Sequence, residues 1–585
     1  MKNVKNTAKK AMALSLALVT MGTVTACLKP KGQNIYDDPT VSYLYVATRD
    51  SGLGTVWLDE MAKKFEERYA ETSFGENKVG VKVIKEPVRA LTGAGMVGTL
   101  ANEDYDVCMG EDLNYVDYMT SNLLYDISDW VTEELSDGSG TLESKITKEH
   151  QAYLKGFNGN YHALPWFTTS NGLTYDAGLF DEQGLWFADA NGYKPTTTST
   201  YTGKAYTGRG FVLGANTKKS CGPDGIYDTF DDGLPSSYEE FFYLCEYMAG
   251  YKQVTPFIYT GASEHYLNYL FQALTLNWSG KEDSTTMFTF NSGENTVDVI
   301  TGFNGEEPII EAKKITKENG YLSTQIAGKY YATKFMKEMF DNLDDYFYAR
   351  STNGSFSNLD AQTIFINSAL DPTYTPIAMM IEGSYWYQEA ADALKASENK
   401  YGVDAMNRKF AYMVMPSQET GTVNENQGKP VVVADGQGSH LFVNNNIKDD
   451  PETLEVAKKF IQMCFENDSL ETVVAKTGLP VAVDYEVSPE SYNQMNHYAQ
   501  SLWDVYSTAL KNKSYCTPFS GSKLFLANFP TFKFDTGGWC TYKSGASSYA
   551  TVYSGVLAGL SAKEYFLGTG ISKEDWDRNY GQYEN

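Results

Sequence analysis

The chain has 585 residues and a formal net charge of −26, so it is too long for a single domain and too acidic to hold a phosphate backbone. Nucleic acid is thereby excluded as a partner. The composition is that of a globular protein with ample core residues, and its 43 Tyr, 30 Phe and 9 Trp exceed what core filling needs and suit flat apolar ligand faces.

Lys2, Lys5, Lys9 and Lys10 precede an apolar run over 11–19 and a small-residue stretch ending in Ala26 and Cys27. That order is a secretory leader over 1–26, too short to span a bilayer as a mature helix. The stretch resembles the bacterial lipobox, which implies cleavage before Cys27 and attachment of a lipid to its sulfur. Loss of the four leader lysines takes the charge from −26 to −30. Residues 27–40 read as lipid anchor and tether, with Pro30, Gly32 and Pro39. No later stretch approaches the roughly 20 apolar residues of a membrane span, so the lipid alone is expected to hold the chain at the extracellular face of the cell membrane.

A strand is predicted over 41–47, then an amphipathic helix in which Trp57, Met61, Phe65 and Tyr69 recur at spacing four. Further strands over 79–84 and 105–109 complete an alternation typical of a parallel α/β lobe. Ligands of such sheets sit beyond the carboxyl ends of the strands. Those ends put Thr48, Arg49, Asp50 and Ser51 on one rim with Gly110, Glu111 and Asp112. Two loops, 196–214 and 421–428, read as exposed insertions. Between them, residues 222–235 crowd Asp224, Asp228, Asp231 and Asp232 into a glycine-bearing turn. Hard oxygen ligands in a flexible loop suit a structural Ca²⁺, and like charges this close repel without a cation. The alternative is a solvated acidic turn leading into a helix capped by Ser236 and Glu239. A strand over 439–443 precedes a helix opened by Asp450 and Pro451, with Leu454, Ala457, Phe460, Ile461 and Cys464 as its buried stripe.

Seven cysteines include no CxxC pair, and the five histidines, His150, His162, His265, His440 and His497, form no HExxH. Cys108 and Cys464 lie in apolar stretches and read as buried, and Cys516 and Cys540 are left as a possible pair. Neither GxSxG nor a Walker sequence occurs, and Gly436-Gln-Gly438 does not open a helix, so it is no dinucleotide fingerprint. No enzyme activity is expected. The rival readings are a secreted glycosidase or lyase, which needs only two carboxylates at the right separation, and a glycan-tethering surface protein.

The order of motifs resembles the extracellular solute-binding proteins of carbohydrate ABC transporters, the family of the maltose-binding protein. The pieces are the lipobox, Phe65-Glu-Glu-Arg-Tyr69, Tyr105-Asp-Val-Cys-Met-Gly110, Ala163-Leu-Pro-Trp-Phe167, Gly172-Leu-Thr-Tyr-Asp176 and Leu234-Pro-Ser-Ser-Tyr-Glu-Glu-Phe241. They continue with Met380-Ile-Glu-Gly-Ser-Tyr-Trp386, Tyr412-Met-Val-Met-Pro416 and Thr477-Gly-Leu-Pro-Val481. The resemblance implies a two-lobe periplasmic-binding-protein-like α/β fold with a hinge of several crossings. The first lobe would be 41–164 plus 434–480, and the second 165–433 plus 481–585 with a helical tail. It implies a monomer that captures an oligosaccharide and delivers it to permease subunits. Trp386, with Tyr385 beside it, occupies the position whose aromatic ring stacks on a sugar in relatives. Trp166 and Phe167 stand next to the hinge, and Arg49, Asp50, Glu111 and Asp112 are the implied hydroxyl partners. Oligosaccharide and alginate binders of the family carry a calcium loop in a place comparable to the aspartate-rich turn.

Overall fold

A computed structural model describes residues 38–111, 115–189, 192–263, 266–404, 407–421, 433–434, 438–516 and 559–579. Cys27, Asp112, His265 and Cys540 lie outside the described residues, as do the leader, most of the tether and the Gly436-Gln437 pair. The chain first lays down β1 (Ser42–Arg49), β2 (Val81–Val88), β3 (Val107–Glu111) and β4 (Ala163–Pro165). It continues through β5 (Asn171–Asp176), β6 (Thr255–Ile258) and a hairpin of β7 (Val297–Asn304) and β8 (Glu307–Lys313). Then come β9 (Ile377–Gly383), β10 (Phe410–Met413), the two-residue β11 (Val433–Ala434), β12 (Ser439–Val443) and β13 (Tyr515–Cys516).

These strands make two separate main sheets, and that division defines the fold. The first has the order β2-β1-β3-β12-β4, and the second β10-β5-β9-β6. In the first, β1 runs parallel to β2 and β3, as the strand and helix alternation predicts. The late strand β12 enters antiparallel to both β3 and β4. The second sheet is mixed, with β9 parallel to β6 and antiparallel to β5. With helices packed around each sheet, the molecule is a two-lobe α/β protein.

The first lobe closes around its helices as their side-chain spacing requires. The helix Val56–Arg68 buries Trp57, Leu58, Met61, Ala62 and Phe65, and Phe65 meets Phe460 edge to face with ring centres 5.3 Å apart. Phe460 belongs to the helix Pro451–Cys464, whose Asp450 side chain accepts from the amides of Glu452 and Thr453. Asp450 thus satisfies two of the amides a helix start leaves open, and Pro451 sits where a missing N–H costs nothing.

The chain passes between the sheets after β4, between β10 and β12, and again beyond the helix Asn467–Thr477. Two of these passages are stitched together: Thr168 N donates to Pro480 O at 3.0 Å, and Ala482 N donates to Trp166 O at 2.7 Å. Trp166 N reaches Ser439 O at 2.7 Å, and Phe167 N reaches Ser439 Oγ at 2.9 Å. Behind β4 and β12, the Nε2 atoms of His150 and His440 stand 3.3 Å apart in a buried contact. Burial lowers the basicity of both rings, so they sit in the core as neutral imidazoles.

The second lobe carries a large insertion between β5 and β6. The Thr- and Gly-rich segment 196–214 reads as exposed, but the structure packs much of it. Tyr206 stacks on Tyr243 at 3.8 Å and Phe211 on Tyr247 at 4.0 Å, both partners lying on the helix Tyr238–Tyr247. Aromatic residues spaced through a polar loop supply the apolar surface that composition by average conceals. At its centre, Arg209 is held by both oxygens of Glu240 and by Ser220 Oγ, Cys221 O and Ser236 Oγ, and it lies over the Phe187 ring. The helix begins one residue later than predicted. Ser237 accepts from Glu240 N, which leaves the Glu240 carboxylate free for Arg209 and Ser236 N.

The helix Ala562–Gly568 packs on the helix Ala327–Asp341, and Trp576 is buried against Phe290 with its Nε1 donating to Lys317 O at 2.8 Å. Among the described residues no helix is long and apolar enough to cross a membrane.

Candidate functional site

The two lobes meet along a seam formed at the end of β1 and the end of β9. From the first lobe comes the turn after Arg49, and from the second the run Glu382-Gly383-Ser384-Tyr385 and the short helix Trp386–Glu389. A Cβ on Gly52 would stand 2.8 Å from Cδ2 of Tyr385, a distance real Cβ atoms do not reach. A Cβ on Gly383 would stand 2.4 Å from Cε1 of the same ring. Tyr385 is therefore clasped between a glycine of its own lobe and one of the opposite lobe, and only glycine fits either place. Gly54, with φ of +73°, lies against Gln388, whose Nε2 donates to Thr477 O at 2.5 Å across the seam. Separation of the lobes would uncover the part of Tyr385 that Gly52 covers.

The charged rim is assembled but internally paired. Arg49 Nε lies 3.5 Å from Glu111 Oε2, and Arg49 also donates to Arg89 O. Ser51 Oγ donates to the other Glu111 oxygen. Asp50 accepts from Arg89 Nε at 3.1 Å. Thr48, next in line, accepts from Trp57 Nε1 at 3.0 Å, which ties the rim to the first-lobe core. Arg49, Asp50 and Glu111 are brought together; Asp112 lies outside the described residues.

The three aromatic residues expected to face a ligand take a different place. Trp386 is fully buried, with Phe410, Tyr498, Phe365 and Tyr387 around it at ring-centre distances of 5.2, 5.5, 5.6 and 6.0 Å. In this arrangement it is a core side chain of the second lobe. Trp166 and Phe167 are also fully buried, with Trp166 packed on Trp57 at 5.1 Å and on Phe465 at 5.4 Å. Their apolar area is already spent in holding the crossings together. Of the four aromatic candidates, Tyr385 is the one at the seam.

Two seam residues are missing from the sequence reading, Glu382 and Glu389. Both carboxyls are pushed above their usual range, by burial first and, for Glu382, by the neighbouring charge of Glu389. Glu382 stands inside the motif that ends at Trp386, so its position was visible, but nothing in spacing distinguishes a buried strand-end carboxylate from an exposed one.

The aspartate-rich turn is closed on itself. Asp231 accepts from Asp224 N at 2.8 Å and from Thr229 Oγ1 at 2.8 Å; Asp224 accepts from Ile226 N at 2.7 Å. Asp232 accepts from Asp228 N at 2.9 Å, and its Oδ1 is buried with no hydrogen-bond partner among the described residues. Burial and then the charge of Asp224 hold the Asp231 carboxyl above the ordinary range. Among the described residues no three acidic, His or Cys side chains converge as a metal site. The donor chemistry suits calcium, and in this arrangement the carboxylates of Asp224, Asp231 and Asp232 accept from amides of their own loop.

A groove of about 500 Å³ lies at the other end of β5, lined by Asp176, Asp181, Glu182, Arg408 and Lys409 among others. Both of its cations are paired within it, Arg408 on Asp176 at 3.0 Å and Lys409 on Asp181 at 2.9 Å.

No protein-family model matches the sequence, and no curated protein matches it. Among solved structures the chain is similar to one described as a chitin oligosaccharide binding protein, with 13% identity and a TM-score of 0.47, covering 92% of this chain and 98% of that one. It is similar also to the apo form of RafE from Streptococcus pneumoniae, with 12% identity and a TM-score of 0.45, covering 91% and 98%. The two-lobe arrangement rests on this chain's own sheets and crossings.

Proposed function

We propose that the protein is a lipid-anchored extracellular binding protein that captures an oligosaccharide between its lobes and delivers it to an ABC transporter permease. The observation that carries this reading is the clasp of Tyr385 of one lobe by Gly52 of the other, in front of two stitched crossings. An aromatic ring that becomes accessible when two lobes part, with carboxylates and a guanidinium beside it, suits a ligand with C–H faces and hydroxyl edges. The leader and Cys27 support export and lipid attachment, and the motif order supports the transporter.

One observation favours a second reading, a glycosidase. Carboxyls stand on both lobes near the seam, Glu111 beside Ser51 on the first and Glu389 against Gly52 on the second, and two carboxyls are the ingredients of glycoside hydrolysis. Glu111 is already engaged by Ser51 and Arg49, so binding without cleavage is the reading we adopt. A thermal-shift screen against mono- and oligosaccharides, with each hit recovered and sized by chromatography, separates the two. A stabilising sugar returned intact supports capture. A shortened sugar replaces it with hydrolysis.

Tyr385→Ala is expected to weaken the saccharide found in that screen by about 30-fold, the loss of roughly 2 kcal/mol that a central aromatic contact supplies. Titration calorimetry reads this. An affinity within threefold of the parent would remove Tyr385 from the site.

Calcium remains part of the proposal, at Asp224, Asp228, Asp231 and Asp232. In chelator, the raised Asp231 carboxyl makes its contribution greatest below the ordinary carboxylate range near 4 and loses it as pH rises toward neutrality. Melting temperature in chelator should therefore gain from acidification between pH 8 and 5 relative to Asp231→Asn. Millimolar Ca²⁺ should raise it at pH 8 in the parent and not in the variant. Identical responses of parent and variant would return the loop to a solvated turn.

A further inference from the structure

The carboxylate pair behind Tyr385 has a consequence for which saccharides the seam admits. Glu382 is 3% exposed, and its Oε1 accepts from Gly383 N at 2.9 Å. Glu389 accepts from Asn358 Nδ2 at 2.8 Å on Oε1, while its Oε2 is buried with no hydrogen-bond partner among the described residues. The Glu389 Cβ lies 3.7 Å from where a Cβ on Gly52 would stand, which puts this residue at the contact between lobes. The groups that hydrogen-bond the pair are the Gly383 backbone amide and the Asn358 side-chain amide, and neither brings a positive charge. On the first-lobe rim the guanidinium of Arg49 is committed to Glu111 and to Arg89 O.

We propose that Glu382 and Glu389 are specificity-determining residues that make the cleft a charge filter: it rejects saccharides bearing carboxylates and favours those bearing a free amino group. This rests on the reading of the seam as a saccharide site. An acidic sugar brings a further negative charge to a low-dielectric place that already holds two uncompensated carboxyls, which raises the cost of its entry. A neutral sugar adds no charge to the pair. An ammonium offsets the pair's charge and donates to the open Glu389 oxygen in a charge-assisted hydrogen bond. The observed arrangement thus predicts an order of preference from charge alone.

The test uses oligosaccharides of two to six rings on one backbone, differing only in charge: β-1,4-linked glucose, glucosamine and glucuronate oligomers, with an α-1,4-linked glucose and galacturonate pair alongside. Calorimetry at pH 7 on the exported chain is expected to show the uronate oligomers at least about tenfold weaker than the neutral ones, and the glucosamine oligomers tightest. Glu389→Gln keeps the shape and the Asn358 contact and should bring uronate and neutral affinities to within about threefold; Glu382→Gln should act in the same direction, and the melting temperature of each variant checks its fold. Uronate binding equal to neutral binding in the parent, or a ratio unmoved in both variants, overturns the filter and leaves saccharide capture standing. A panel in which no oligosaccharide binds overturns saccharide capture and the filter with it.

Discussion

Trp386→Ala is expected to destabilise the protein by about 3–5 kcal/mol, the cost of emptying a large aromatic side chain from a packed core. The indole is fully buried and touched by four aromatic rings: Phe365 and Phe410 from helix and strand, Tyr498 from the helix His497–Lys511, and Tyr387 from its own turn. Neighbours so large and so mutually packed cannot collapse into the space, which places the substitution at the costly end of its class. Chemical denaturation reads the loss as a lowered midpoint with an unchanged slope. A variant as stable as the parent but unable to bind sugar would restore Trp386 to the ligand and move Tyr385 to a supporting place. The opposite split, Tyr385→Ala losing affinity and Trp386→Ala losing stability, is what the structure predicts.

Arg209→Met is expected to cost a comparable 3–5 kcal/mol in the lobe that carries the insertion, because it strands a buried carboxylate. Glu240 has a side chain 1% exposed, and both its oxygens face the guanidinium. The same guanidinium gathers Ser220 Oγ, Cys221 O and Ser236 Oγ, so its loss also leaves several acceptors without a donor. Limited proteolysis within 196–235, together with the denaturation midpoint, distinguishes a loosened insertion from global unfolding. Restoration of the midpoint by adding Glu240→Gln or Glu240→Leu would show that the stranded charge, more than the lost packing, carries the cost. Unchanged stability in the single variant would contradict the role assigned to this cluster.

The fold class was legible because it depends on features a single sequence displays. Trp57, Met61 and Phe65 at spacing four are buried together, and Asp450 and Pro451 cap a helix at the predicted residue. What the sequence did not display was anything set by a long-range choice. The antiparallel entry of β12 between β3 and β4 depends on a return from nearly 300 residues away, and no local pattern encodes its direction. The helix start at Ser237 instead of Ser236 turned on two serines and two glutamates side by side, where each register offers the same capping box. The outcome followed from Arg209, which claims Glu240 and so selects the register.

The site was legible by region and much less by residue. Arg49, Asp50 and Glu111 are together at the rim because strand ends collect there whatever the side chains do. Tyr385 and Trp386 are neighbours in sequence, and which ring turns to the seam depends on a single turn of backbone after β9 that hydrophobic period does not resolve. Glu382 and Glu389 could not be told from other glutamates in sequence because carboxylates are exposed by default and become informative only when a structure buries them.

Ligand entry between the lobes is tested most directly by a reversible lock. A Cβ on Gly54 would stand 3.8 Å from the Gln388 Cβ, within the range a disulfide spans. The five described cysteines are all buried and unpaired, which leaves an engineered pair chemically distinct. Gly54→Cys carries a cost of about 1 kcal/mol for its left-handed backbone, small against the stability of a domain this size. Saccharide binding by the double variant Gly54→Cys with Gln388→Cys should be abolished when oxidised and return on reduction, while either single variant binds in both states. Equal binding by the oxidised and reduced double variant would place the ligand elsewhere and contradict capture between the lobes.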